Sequence, residues 1–105
     1  MNEFVRVGKV SDLGEGEMMV ADVGDESILL SNLQGSIYAI GEVCPHANGP
    51  LGSGILDGEE IECPYHGSRF DLKTGACTQP PALEAVPHYA VRVEGDDILV
   101  GPPEK

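Results

Sequence analysis

Tryptophan is absent from this sequence and only two Phe and three Tyr are present, so its core must be modest and dominated by Val, Ile and Leu. Such a core leaves folding without help marginal. Cationic residues are also scarce. Six Lys and Arg stand against eighteen Asp and Glu, a formal charge of −12, which repels nucleic acid and acidic membrane faces alike. Long hydrophobic runs are lacking. The longest aliphatic stretch, Ile28-Leu29-Leu30, cannot span a bilayer, and Met1-Asn2-Glu3-Phe4-Val5-Arg6 has none of the apolar character of a signal peptide. The chain therefore reads as cytoplasmic. Its three cysteines are an odd number and no N-x-S/T sequon occurs, which argues against a secreted disulfide scaffold and for metal. A length of 105 residues fits one domain and leaves no room for a two-domain enzyme.

Fourteen glycines and eight prolines punctuate short runs of Val, Ile, Leu and Met, the pattern of an all-β chain of short strands. Strands are expected at Phe4-Val7, Met18-Val23, Ser27-Ser31, Ser36-Ile40, Glu60-Glu62, Arg69-Asp71, His88-Val93 and Ile98-Val100. Turns are expected at Gly24-Asp25, Gln34-Gly35, Asp57-Gly58 and Gly95-Asp96, where Gly or Asp tolerates the positive φ of a tight hairpin. No window has helical periodicity beyond about two turns. The segment from Gly41 to Gly75 differs from the rest, holding two of the three histidines, two of the three cysteines and half of the glycines. A β scaffold carrying one loop-rich insertion accounts for this, with functional loops on a rigid frame.

That segment contains Cys44-Pro45-His46 and, after sixteen intervening residues, Cys63-Pro64-Tyr65-His66. Each loop offers one thiolate and one imidazole, a Cys2His2 set that suits tetrahedral Zn²⁺ or an iron–sulfur centre. Zinc modules usually pair like with like, whereas Cys and His alternate here and the first pair is separated by a single residue. Two tight loops facing each other suit a two-metal object better than one ion.

The pattern Cys44-x-His46, Cys63-x2-His66, followed by Gly67 and Ser68, closely resembles the Rieske [2Fe–2S] motif. The resemblance extends through Gly49-Pro50-Leu51, Leu56-Asp57-Gly58, Phe70-Asp71, Thr74-Gly75 and Pro80-Pro81-Ala82. It implies one [2Fe–2S] cluster, with Cys44 and Cys63 on one iron and His46 and His66 on the other. It also implies a Rieske fold over 1–105: an antiparallel β-sandwich or barrel base, from 1–40 and 72–105, with a small inserted cluster-binding subdomain over 41–71. Two Fe³⁺, two sulfides and two thiolates sum to zero with neutral imidazoles, so reduction gives only about −1, and such clusters titrate at roughly −150 to +300 mV.

High-potential members of that family bridge the loops with a disulfide, but Gly49 and Tyr65 occupy the corresponding places here. Those members also aim a serine and a tyrosine hydroxyl at cluster sulfurs. Ser68 stands at the first place, while Phe70 stands at the second and lacks the oxygen. A potential near the low end of the range is therefore expected, and a midpoint above about +150 mV would contradict this. Pro45 and Pro64, with Gly49, Gly52, Gly54 and Gly67, read either as loop punctuation or, for some of them, as residues that let backbone N–H groups approach the sulfides and stiffen the loops; the second is expected.

Other residues have plainer readings. Cys77 follows Gly75-Ala76 in a turn and reads as a passive free cysteine; His88, after Pro87, opens a strand as an ordinary half-exposed histidine; Tyr65 fills the space of a missing cysteine. Glu42, Asp57, Glu59, Glu60, Glu62 and Asp71 crowd the loop-bearing segment against Arg69, so electrostatic steering toward basic partner faces is expected.

The resemblance implies a soluble ferredoxin, not itself an enzyme. It would take single electrons from a flavin-dependent ferredoxin reductase and give them to a terminal ring-hydroxylating oxygenase. An oxygenase proper needs a further iron on two histidines and a carboxylate, and beyond His46 and His66 only His88 remains. The alternative is a small Rieske-type subunit of a larger reductase such as nitrite reductase; a third reading, a zinc-stabilised interaction module, would contain no iron or acid-labile sulfide.

Overall fold

The structure is a computed structural model that describes residues 4–24, 26–43, 50–64, 67–79 and 85–104. The expected all-β architecture is present. Ten strands occur among these residues: β1 Val5–Lys9, β2 Met18–Val23, β3 Glu26–Leu33, β4 Ser36–Gly41, β5 Ile55–Asp57, β6 Glu60–Glu62, β7 Arg69–Asp71, β8 Cys77–Gln79, β9 His88–Glu94 and β10 Asp97–Glu104. The only helical pieces described are two three-residue 3₁₀ turns, Val10–Asp12 and Leu51–Ser53.

Six strands form one antiparallel sheet in the order β1-β10-β9-β4-β3-β2, and β5-β6-β7-β8 form a second. The larger sheet curls until its two edges approach. Gly8 of β1 and Met19 of β2 meet where the edges of this nearly closed barrel approach, a Cβ on Gly8 falling 2.7 Å from the mobile end of the Met19 side chain, Cε.

The residues of β3 explain its central place. Ile28-Leu29-Leu30 is apolar without alternation, and Ile28 through Asn32 are all buried, as expected of a strand covered on both faces. Successive side chains then serve different cores. Ile28 and Leu30 join Leu13, Ala39, Tyr89, Ile98 and Val100 inside the barrel. Leu29 and its cross-strand partner Ile40 instead face the second sheet, meeting Leu51, Ile61, Cys63, Phe70, Leu72 and Val86. The core is mainly Leu and Ile, with Val86 and Val100 its only buried valines among the described residues.

The hairpins follow from residues that accept positive φ. Gln34 (56°) and Gly35 (92°) join Leu33 to Ser36 in a two-residue loop of the type I′ kind. The turn expected at Asp57-Gly58 sits one residue later: Asp57 pairs with Glu60 in the sheet, and Gly58 (63°) and Glu59 form the loop. Gly24 and Gly95 also have positive φ in their hairpins, whereas Asp25 lies outside the described residues.

Two strands were not expected, β5 and β8. They are the edge strands of the small sheet and only three residues long. Cys77 accordingly does not lie in a turn. It opens β8 opposite Phe70, and the turn ends at Ala76, whose N–H is bonded to Thr74 Oγ1.

Candidate functional site

Of the four expected ligands, Cys63 is described; Cys44, His46 and His66 lie outside the described residues, as do Gly49, Tyr65 and Pro80-Pro81-Ala82. Cys63 follows β6, is 2% exposed, and packs in the core cluster between the two sheets. Ser68, fully buried, leads into β7. The β6–β7 ladder pairs Glu62 with Arg69, and the loop beyond is closed by two backbone bonds. Cys63 N–H donates to the Ser68 carbonyl at 2.7 Å and Gly67 N–H to the Cys63 carbonyl at 3.2 Å. Gly67 has φ +78°, a left-handed turn that a β-carbon would strain.

The segment 44–49 is framed in the same way. Val43 and Pro50 form an isolated antiparallel bridge, and Leu51 N–H donates to the Glu42 carbonyl at 2.8 Å. Glu42, 8% exposed, adds a second clamp, its carboxylate accepting the Gly52 N–H at 3.1 Å. It was expected among the steering acids; instead it is turned inward onto the backbone that leaves the first loop.

The small sheet sets the two loop bases side by side. Ile55 pairs with Glu62, so the chain leaving the first loop runs antiparallel to the chain entering the second. A Cβ on Gly54 would overlap the Glu62 carbonyl oxygen. Leu51 and Cys63 share one buried cluster.

Polar contacts brace this end of the molecule. Arg69 bonds Asp57 at 2.8 Å, Glu62 at 3.1 Å and Glu60 at 3.3 Å. These acids, Asp57 first and Glu60 next, raise the guanidinium further above its usual range. Glu59 pairs with Lys73 at 3.0 Å, and the Asp71 carboxylate accepts the Lys73 and Thr74 N–H groups. Much of the acidity counted along the segment is thus already engaged within it. Gln79 Nε2 donates to the Gly67 carbonyl at 3.1 Å. No sequence signal marks Glu42 or Gln79, because both act through contacts set by tertiary pairing.

Comparison with known proteins decides the family. A family model described as the Rieske [2Fe-2S] domain matches residues 3–90. The chain belongs to the Rieske [2Fe–2S] family. The Rieske chain is 37% identical over 97 residues to the ferredoxin component of biphenyl 2,3-dioxygenase from Rhodococcus jostii, covering 92% of this chain and 91% of that protein. The solved ferredoxin of carbazole 1,9a-dioxygenase from Nocardioides aromaticivorans superimposes with a TM-score of 0.90 at 40% identity, covering 94% and 97% of the two chains. A ferredoxin solved in complex with reduced oxygenase in carbazole 1,9a-dioxygenase superimposes with a TM-score of 0.90 at 27% identity, covering 100% and 98%.

The Rieske chain carries one [2Fe–2S] cluster and serves in electron transfer rather than as the catalyst. The described residues fit that cofactor. A soft thiol lies buried at the mouth of a hairpin loop whose backbone is tied at the base, and a tied frame keeps ligand movement small when charge changes. Among the described residues, no helix is long and apolar enough to cross a membrane.

Proposed function

We propose that Cys44 and Cys63 ligate one iron and His46 and His66 the other, within a single Rieske domain spanning 1–105 whose loops belong to a subdomain near 41–71. The cluster supplies a one-electron couple of moderate potential. The chain's own residues set its surroundings: Cys63 is shielded from water, the Glu42 and Ser68 backbone bonds hold the loop bases, and imidazole ligation puts the exit for the electron on the histidine side.

In this reading the protein is a soluble, cytoplasmic carrier that takes single electrons from a flavin-dependent ferredoxin reductase and delivers them to a terminal ring-hydroxylating oxygenase. The observation that carries it is near full-length similarity to the ferredoxin component of biphenyl 2,3-dioxygenase; the ferredoxin similar in fold that is solved with an oxygenase supports the choice of acceptor. The formal charge of −12 suits docking on basic faces of both partners.

Reconstitution tests the proposal. The purified holoprotein should be reduced by a flavoprotein reductase with NADH and reoxidised by an oxygenase turning over an aromatic substrate, at rates that fall as salt is raised. A large subunit that co-purifies stably and alone accepts the electrons would favour the reductase-subunit alternative instead.

A further inference from the structure

The β7–β8 ladder contains a register shift: Phe70 pairs with Cys77, but Arg69 pairs with Gln79 rather than Thr78. Such a bulge inserts one residue and re-aims the side chains beyond it. Here it brings Gln79 to the level where the second loop returns to the sheet, and its Nε2 donates to the Gly67 carbonyl at 3.1 Å. Gly67, at φ +78° and without a Cβ, has little steric restraint of its own, and its N–H bond to Cys63 is long at 3.2 Å.

A peptide group is planar and trans, so its carbonyl and its N–H point in opposite directions. With the Gly67 carbonyl bonded to Gln79, the Ser68 N–H of the same peptide points away from that side chain. The Ser68 carbonyl accepts the Cys63 N–H at 2.7 Å and so faces Cys63.

We infer that Gln79 is a positioning residue for the cluster: by fixing the Gly67–Ser68 peptide plane through a bulged edge strand, it sets the direction of the Ser68 N–H toward the sulfur-bearing side of the loop. This rests on the ligand assignment proposed above. Donors aimed at cluster or cysteine sulfur stabilise the reduced, more negative state and raise the potential. Releasing the peptide lowers the potential without removing any ligand.

The test uses the holoprotein with Gln79→Met, which keeps the length of the side chain and removes the donor, and Thr78→Ala on the same strand as control. Iron and acid-labile sulfide content, midpoint potential by voltammetry and the EPR signal of the reduced protein are measured together. Gln79→Met is expected to load fully, to shift the EPR g values, and to disfavour reduction by about threefold, a tenfold change being about 59 mV for one electron. Thr78→Ala should match the wild type. Gln79→Asn, whose amide falls one carbon short, should shift the potential in the same direction, so the test survives a Met variant that loads poorly. A wild-type Rieske signal with unchanged potentials and g values in the Gln79 variants overturns the inference alone. A wild-type protein with no Rieske signal overturns the ligand assignment beneath it.

Discussion

Replacing Phe70 by Tyr adds one oxygen at a place where the structure leaves no access to solvent. Phe70 is fully buried and packs with Cys63, Leu29, Ile40, Leu51, Ile61, Leu72 and Val86. Among the buried members of that group only Cys63 offers a side-chain acceptor; the half-buried Cys77, opposite Phe70 in the sheet, and Met18 offer further sulfurs at its edge. If the new hydroxyl reaches the Cys63 sulfur, the bond strengthens as the cluster gains an electron. A difference of about 1 kcal/mol between the two states corresponds to a rise of about 40 mV for one electron. If the hydroxyl finds no acceptor, burial costs about 1–3 kcal/mol of stability, and a midpoint of unfolding moves by about 4–8 °C per kcal/mol in a domain of this size. Voltammetry and thermal melts on the loaded Phe70→Tyr protein separate the two. The expected result is a raised potential with little change in melting. A full cluster, an unchanged potential and a lowered melting midpoint would refute the claim that the absence of this oxygen holds the potential low.

Cys63→Ser should abolish cluster assembly, because a hydroxyl is a poor ligand for iron in this setting, whereas Cys77→Ser, at a strand position whose Sγ donates to the Gln79 carbonyl, should load normally; iron and sulfide analysis distinguishes them. Gly54→Ala places a methyl against the Glu62 carbonyl and forces β5 from β6, costing about 1–3 kcal/mol, read as a lowered denaturant midpoint. Burial first, and the charge of Glu26 second, raise the Tyr89 phenol above its ordinary value. Between about pH 10 and that raised value the unfolded chain loses the proton while the folded one keeps it, so stability present below about pH 10 declines as pH rises. Tyr89→Phe should flatten that decline, as measured by unfolding from pH 9 to 11.

The long strands were legible because their signals are local. Met18–Val23 begins and ends as expected, and the unbroken apolar run Ile28-Leu29-Leu30 marks a strand that serves two cores. The edge strands β5 and β8 were not, since Ile55-Leu56-Asp57 and Cys77-Thr78-Gln79 each pair on one side only and owe that pairing to β6 and β7. At the site, the spacing of Cys44, His46, Cys63 and His66 singles them out as a Cys2His2 set, because metal ligation demands particular donors at particular intervals, and their reading as cluster ligands comes from the Rieske resemblance. Glu42 and Gln79 are invisible at that level. A glutamate reads as surface charge until the chain folds its carboxylate onto the Gly52 N–H, and Gln79 acquires its role only through a bulge one strand away from the loop it holds.

EPR of the anaerobically reduced holoprotein, taken with its iron and acid-labile sulfide content, tests the central claim most directly. The account predicts about two irons and two sulfides per chain and a Rieske signal that is lost when Cys63 or either histidine, His46 or His66, is replaced. Zinc or a single iron without sulfide, or a normal Rieske signal that survives replacement of His46 or of His66, would contradict it.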